Sequence, residues 1–338
     1  MASFNTVRVG STHSLIAWIL ILLFGCTYRP VSAGEFVEVS EVNLESVPDR
    51  ESMRITDVAM GRGGIVYICD KARGQVFRVS TQLNRAEVIR PKTRKNEQSW
   101  RPRAIAVDKE GMLYIAEETE VWIFDIEGRV VDKFDTEIAN PTSIAVTVDG
   151  TTYVAGFNEG YVLYRYDSER SAKLLLGHSD QDVRVIIGSL SGGMVRTWES
   201  GVLFGANTPY ELVALGNEGN VTKTQLRPEL NLGTRVKFDK SANTAMVQIS
   251  SSGSALSIAT NDSLIYYCYS PRESGLFTDI SRVYVDVYDR HLKPIGTDIN
   301  IDGAILAADR DGYVYFAKKN QRGMDGLFRG KFKHGSFK

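Results

Sequence analysis

Three oxygen-bearing side chains share one position relative to a recurring glycine. Asp70 stands six residues after Gly64, Glu117 six after Gly111 and Asn207 six after Gly201. Carboxylate and amide oxygens brought together from separate segments are what a hard divalent cation such as calcium requires. The competing reading is local: an Asp or Asn at a strand end hydrogen-bonds the next backbone turn. A second chemistry is carried by RPKTRKNEQSWRPR, Arg90–Arg103, with six basic residues and one acidic residue in fourteen. Arg forks carboxylate or phosphate oxygens, and Arg and Trp are favoured at recognition surfaces. Trp100, Arg101 and Arg103 are therefore expected on an anion- or glycan-contacting lip. The alternative is a solvated loop with Trp100 tucked against its own sheet.

Other chemistries are thinly represented. Past residue 33 the histidines are His178, His291 and His334, far apart and without metal-ligand spacing. The sequence has no Gly-x-Ser-x-Gly elbow for a serine nucleophile. Scattered single acids do not make the matched acid and base of a catalytic site, so no catalytic residue is assigned.

These residues need elements to position them. RAIAVDKEGMLYIAEETEVWIFDIEGRVVDKF, from Arg103 to Phe134, reads as four short strands. β-Branched and aromatic residues fill the runs, and Gly, Asp and Glu fill the gaps. The pattern of apolar run, turn glycine and apolar run recurs at Gly64, Gly111, Gly150, Gly201 and Gly312, with gaps of 47, 39, 51 and 111 residues. The last gap has room for one more copy. Arg235–Asp239 with Ala245–Val247 fits, as does Leu256–Ala259 with Leu264–Tyr267, and the two overlap too closely to be separate units. Four-stranded repeats of this period predict an all-β fold, a six-bladed β-propeller, with seven blades as the alternative. Phe36–Val42 alternates like a strand, and the last repeat stops after three strands near Phe332. The N-terminal strand is expected to complete that blade and close the ring. In such a ring the segments entering the innermost strand and leaving the second strand rim one mouth of the central channel. Asp70, Glu117, Asn207 and the basic stretch all belong to that rim.

The Pro-Arg-Ala-Ile-Ala-Val-Asp…Gly…Leu-Tyr-Ile-Ala pattern, at Pro102–Asp108 with Gly111 and Leu113–Ala116, resembles the NHL-repeat and gluconolactonase-like propellers. It returns at Pro141–Val146 with Gly150. The resemblance covers most of residues 50–332 and is sharp in the second and third copies. Gluconolactonases hold a metal with Glu, Asp and Asn around the channel, which would implicate Asp70, Glu117 and Asn207. Their early Glu-Gly-Pro and Asn-Gly motifs are missing from this sequence.

Composition and the N-terminus set the setting. The chain is 43% hydrophobic and 24% charged with a net charge of −1, an ordinary globular balance with no global pull toward nucleic acid or anionic membranes. Leu15–Phe24 is an apolar core preceded by Arg8, which suits a secretory leader within residues 1–33. Leu23-Phe24-Gly25-Cys26 resembles a bacterial lipobox with Cys26 as the lipidated residue, whereas Val31-Ser32-Ala33 suits ordinary cleavage before Gly34. An uncleaved anchor is the third reading. Residues 34–338 then form one propeller domain outside the cytoplasm. Cys69 and Cys268 are expected as separate buried thiols. The sequence thus points to an exported, lipid-anchored, non-catalytic monomer without a cofactor. It would bind a glycan, peptide or protein in the cell envelope, with no nucleic-acid partner and membrane contact only through lipid. The alternative is a metal-dependent hydrolase or lyase of gluconolactonase or streptogramin-lyase type.

Overall fold

The repeating unit is a chain of hairpins whose turns are written in the sequence. Asp108, Asp289 and Asp309 each open such a turn, and the carboxylate accepts the backbone N–H four residues on, at 2.9 Å each time. Gly111 and Gly312 take the left-handed seat of the first and last of these turns, at φ of 93° and 82°. That seat favours glycine, and the Asp side chain satisfies the turn's spare donor.

In a computed structural model of the protein, the residues described are 36–48, 50–80, 85–91, 100–157, 161–177, 192–206, 210–230, 234–239, 246–251, 254–270, 283–319 and 325–332. Strand β1 is Phe36–Glu41. The first blade is β2 (Ile55–Met60), β3 (Ile65–Asp70), β4 (Gln75–Ser80) and β5 (Arg85–Ile89). The second is β6 (Ala104–Val107), β7 (Leu113–Ala116), β8 (Glu120–Phe124) and β9 (Val130–Asp135). The third is β10 (Asn140–Val146), β11 (Thr152–Phe157), β12 (Tyr161–Tyr166) and β13 (Ala172–Gly177). The fourth is β14 (Met194–Trp198), β15 (Gly201–Ala206), β16 (Glu211–Leu215) and β17 (Val221–Leu226). A two-stranded ribbon follows, β18 (Thr234–Asp239) and β19 (Met246–Ser251). The fifth blade is β20 (Ser254–Thr260), β21 (Leu264–Ser270), β22 (Val283–Asp289) and β23 (Pro294–Ile301). The sixth is β24 (Ala304–Ala308), β25 (Tyr313–Lys319) and β26 (Asp325–Phe332), completed by β1.

The blade count is therefore six, and the seven-blade alternative is set aside. Of the two overlapping candidates before Gly312, Leu256–Ala259 with Leu264–Tyr267 belongs to a blade, and Arg235–Asp239 belongs to the ribbon. One turn assignment is also corrected. Gly201 lies inside β15, paired with Trp198, and Glu199 takes the left-handed seat at φ 50°. Gly201 is small for another reason: a Cβ there would stand 2.0 Å from the Leu215 carbonyl oxygen.

The ring closes as expected. Phe36 of β1 pairs with Phe332 of β26. Its ring lies 5.2 Å from that of Phe316 and 4.3 Å from that of Phe332. Buried apolar clusters fill each junction between successive blades, including the junction of the sixth with the first, where Leu306, Tyr315 and Leu327 meet Val58, Val66 and Ile68. Sealing every blade face this way removes most of the sheet edges that an open stack would expose. Cys69 and Cys268 are free and fully buried, and burial pushes both thiols up to about 12, so neither is a ready nucleophile.

Candidate functional site

The innermost strands converge on the axis, and small residues there are a packing consequence. Ala59, Ala106, Ala145, Ala259 and Ala307, one from each of five blades, line a central cavity of about 160 Å³. The fourth blade contributes Arg196 instead. Its guanidinium reaches across to the first blade, donating from Nη2 to Asp57 Oδ1 at 2.6 Å and from Nη1 to Ser143 Oγ at 2.8 Å. Asp57 follows a bulge in β2, and its other oxygen accepts the Ile105 backbone N–H at 3.0 Å. Ser143 follows a similar bulge in β10 and accepts the Val195 N–H at 3.1 Å. Bulges re-aim side chains, and these two aim theirs at the neighbouring blade. Burial pushes the Asp57 carboxyl up, and Arg196 and the backbone donors pull it part of the way back. The axis is thus mixed in character, with alanines from five blades, Thr197 and Thr260 on its wall and the Arg196–Asp57 ion pair across it.

Asp70 and Glu117 occupy equivalent places at the ends of the second strands, and both carboxylates are engaged locally. Asp70 is fully buried. Its Oδ1 accepts the Arg54 and Ala72 N–H groups at 2.9 and 3.0 Å, and Arg73 donates from Nε to Oδ2. Glu117 accepts the Arg101 N–H at 3.1 Å. In both blades the acid ties the end of the second strand to the segment entering the first. Asn207 lies outside the described residues, as do Lys92–Ser99, His178, His334 and Cys26. Among the described residues, no three His, Cys, Asp or Glu side chains gather closely enough to hold a metal ion.

The basic stretch lands beside Asp70. Trp100, Arg101, Pro102 and Arg103 form one wall of a cleft of about 320 Å³, and Lys71, Ala72, Arg73 and Gly74 form the other. Gly74 makes the close approach possible. It has φ 61°, and a Cβ on it would stand 2.5 Å from the Trp100 carbonyl oxygen. Trp100 is 5% exposed, with its ring edge-on to Trp122 and Phe124 at 5.8 and 6.4 Å. The Arg side chains grade outward, at 13% exposure for Arg73, 27% for Arg103 and 67% for Arg101. Arg73 is fixed by Asp70, by the Pro48 carbonyl and by the Phe77 ring 4.7 Å away. Arg73 Nη2 and Arg103 Nε are buried, and no hydrogen-bond acceptor among the described residues reaches either atom. An unsatisfied buried donor costs free energy, and a charged one more, so the pair favours an oxygen ligand.

A further polar cluster joins the fourth and fifth blades. Arg227 donates from Nη1 to Asp286 Oδ2 at 2.8 Å and from Nη2 to Asp298 Oδ2 at 3.1 Å. Tyr210 donates to Asp286 at 2.6 Å, and Tyr269 donates to Asp298. Asp298 adopts φ 57° and donates its N–H to Asp286 at 2.8 Å. Burial pushes Asp286 up, with Arg227 pulling the other way. The members bond one another, and this cluster, like the axial pair, escaped the sequence reading.

Against known proteins, no family model and no curated protein matches this sequence. Solved structures do match in shape. A Bacteroides fragilis protein described as exported aligns at TM-score 0.55 and 9% identity, covering 88% of this chain and 95% of that one. A streptogramin B lyase aligns at 0.53 and 11%, covering 89% and 99%. An inactive variant of virginiamycin B lyase from Staphylococcus aureus, solved with quinupristin, aligns at 0.52 and 10%, covering 85% and 83%. At such identities the likeness speaks for the fold alone. With six four-stranded blades and an N-terminal closing strand, this chain has the fold of a six-bladed β-propeller.

Proposed function

We propose that this protein is an exported, lipid-anchored binding propeller. It recognises an anionic glycan, peptide or protein partner of the cell envelope through the cationic cleft between its first two blades. The observation that carries the reading is the pair of buried guanidinium donors, Arg73 Nη2 and Arg103 Nε, without acceptors among the described residues of the cleft they line. The rim adds Arg101 and Lys71. Export rests on the apolar Leu15–Phe24 and anchoring on Cys26, and the exported structural neighbour is consistent with that setting.

Immobilised protein should retain anionic material from an envelope extract, and the Arg101→Ala/Arg103→Ala double variant should lose most of it. Equal retention by the double variant would retire the reading. Cys26→Ser should move the protein from the membrane to the soluble fraction only where that cysteine carries lipid. A metal-dependent hydrolase or lyase has less support, because both Asp70 oxygens are committed to Arg54, Ala72 and Arg73. A melting midpoint raised by calcium or zinc and reversed by EDTA would revive it.

A further inference from the structure

We infer that the cleft reads a single terminal carboxylate, carried on a group no larger than one sugar or one amino acid, and takes it on the side edge of Arg103. The inference rests on the binding reading above and specifies its ligand chemistry. Three observations converge on it.

The first is the shape of the donor set. Arg103 Nε is buried without an acceptor among the described residues, and its Nη2 stands 4.0 Å from Glu118, beyond hydrogen-bonding distance. The Nε–Nη2 edge of one guanidinium therefore carries no hydrogen-bonded acceptor among the described residues. Two parallel N–H groups on that edge match the two oxygens of a carboxylate. Lysine, a point charge on a flexible stem, cannot reproduce the fork.

The second is the charge balance. The walls supply four cations, Lys71, Arg73, Arg101 and Arg103. Three carboxylates adjoin them: Asp70 on Arg73, Glu117 on the Arg101 N–H and Glu118 on Arg101. One positive charge remains among the described residues, which suits a monoanion and disfavours a dianionic phosphoryl group held beside three acids.

The third is the state of Trp100. Its ring is used by the core, edge-on to Trp122 and Phe124, so a sugar ring finds no aromatic face to stack on. Stacking on Trp100 is thereby unavailable to a sugar ring, which leaves the charged and polar groups as the recognition elements. A volume of about 320 Å³ is at the small end for a ligand site and suits one residue of a chain.

The test is calorimetric titration of the whole purified protein with glucuronate, glucose and inorganic phosphate at pH 8 and matched ionic strength. Glucuronate should bind at least tenfold tighter than phosphate, and glucose should not bind. Arg103→Lys should lose at least tenfold in glucuronate affinity while keeping the wild-type melting midpoint. Phosphate binding as tightly as glucuronate would overturn the carboxylate assignment while leaving an anion cleft. So would a folded Arg103→Lys protein with wild-type affinity. Failure of both anions to bind would overturn this inference, and the envelope-retention assay would then decide the binding function separately. The ligand series on the wild type decides the matter even where the variant does not fold.

Discussion

The axial channel and the cleft between the first two blades both place arginine next to carboxylate, and they differ in what is left over. At the axis Arg196 donates to Asp57, Ser143 and the Val195 carbonyl, and both Asp57 oxygens have partners. In the cleft Arg73 and Arg103 each keep a buried donor without an acceptor among the described residues. The first arrangement is closed and holds opposite blades together. The second is open and is poised for an external oxygen. Burial alone does not mark a binding site. What marks it is an incomplete hydrogen-bond count beside a space large enough for a ligand.

The largest expected effect comes from opening the closed network. Arg196→Met leaves the buried Asp57 carboxylate without its charged partner, and the loss of stability should be about 3–5 kcal/mol by chemical denaturation. Removing both charges, as Asp57→Ala with Arg196→Met, should recover a large part of that loss, because well-packed apolar replacements of a buried pair are often neutral. Neither change should alter anion binding at the cleft. A single variant as stable as wild type would show that the pair is not what holds these blades across the channel.

The cluster between the fourth and fifth blades is also closed, and its prediction concerns pH. Burial raises the folded Asp286 carboxyl above its ordinary value. A raised acid contributes stability that is fully present below the unfolded value and is lost as pH rises through the folded one. Asp286→Asn removes that dependence while leaving Arg227 paired with Asp298. The stability of wild type relative to the Asn variant should therefore fall as pH increases from 4 to 8. Urea midpoints of both proteins across that range give the sign directly, and a difference that grows with pH would contradict the raised carboxyl.

Legibility in the sequence followed turn chemistry. The second, third and sixth blades announce themselves through Gly111, Gly150 and Gly312, each at positive φ. The fifth does not, because its first hairpin turn is Asn261-Asp262-Ser263, where Asn261 Oδ1 accepts the Ser263 and Leu264 N–H groups without a glycine. Arg170 and Leu292 likewise take left-handed seats at φ 64° and 57°. The closing strand was readable because Phe36–Val42 alternates and the last repeat lacks a fourth strand. The basic lip was readable as composition, whereas its unsatisfied donors are a property of packing. Arg196 and Asp57 lie 139 residues apart, and no local pattern joins them. The one sequence clue was a charged residue inside each apolar inner-strand run, ITDVA and MVRTW.

The smallest effect sharpens the comparison most, because it acts on the open site without touching its donors. Glu118 Oε1 is 3.4 Å from Arg101 Nη1 and 4.0 Å from Arg103 Nη2, on a side chain that is 48% exposed. An exposed pair of that kind is weak, so Glu118 competes with an incoming carboxylate without filling its place. Glu118→Gln removes the competitor and one of the three adjoining negative charges while conserving shape. Glucuronate binding should tighten a few-fold, roughly 0.5–1 kcal/mol, with the melting midpoint unmoved. The gain should shrink as salt is raised, since exposed charges are screened over about 10 Å at 0.1 M. Weaker binding by Glu118→Gln would mean that this acid orients the arginines for the ligand, and the cleft would then be a preassembled fork that depends on its own rim carboxylate.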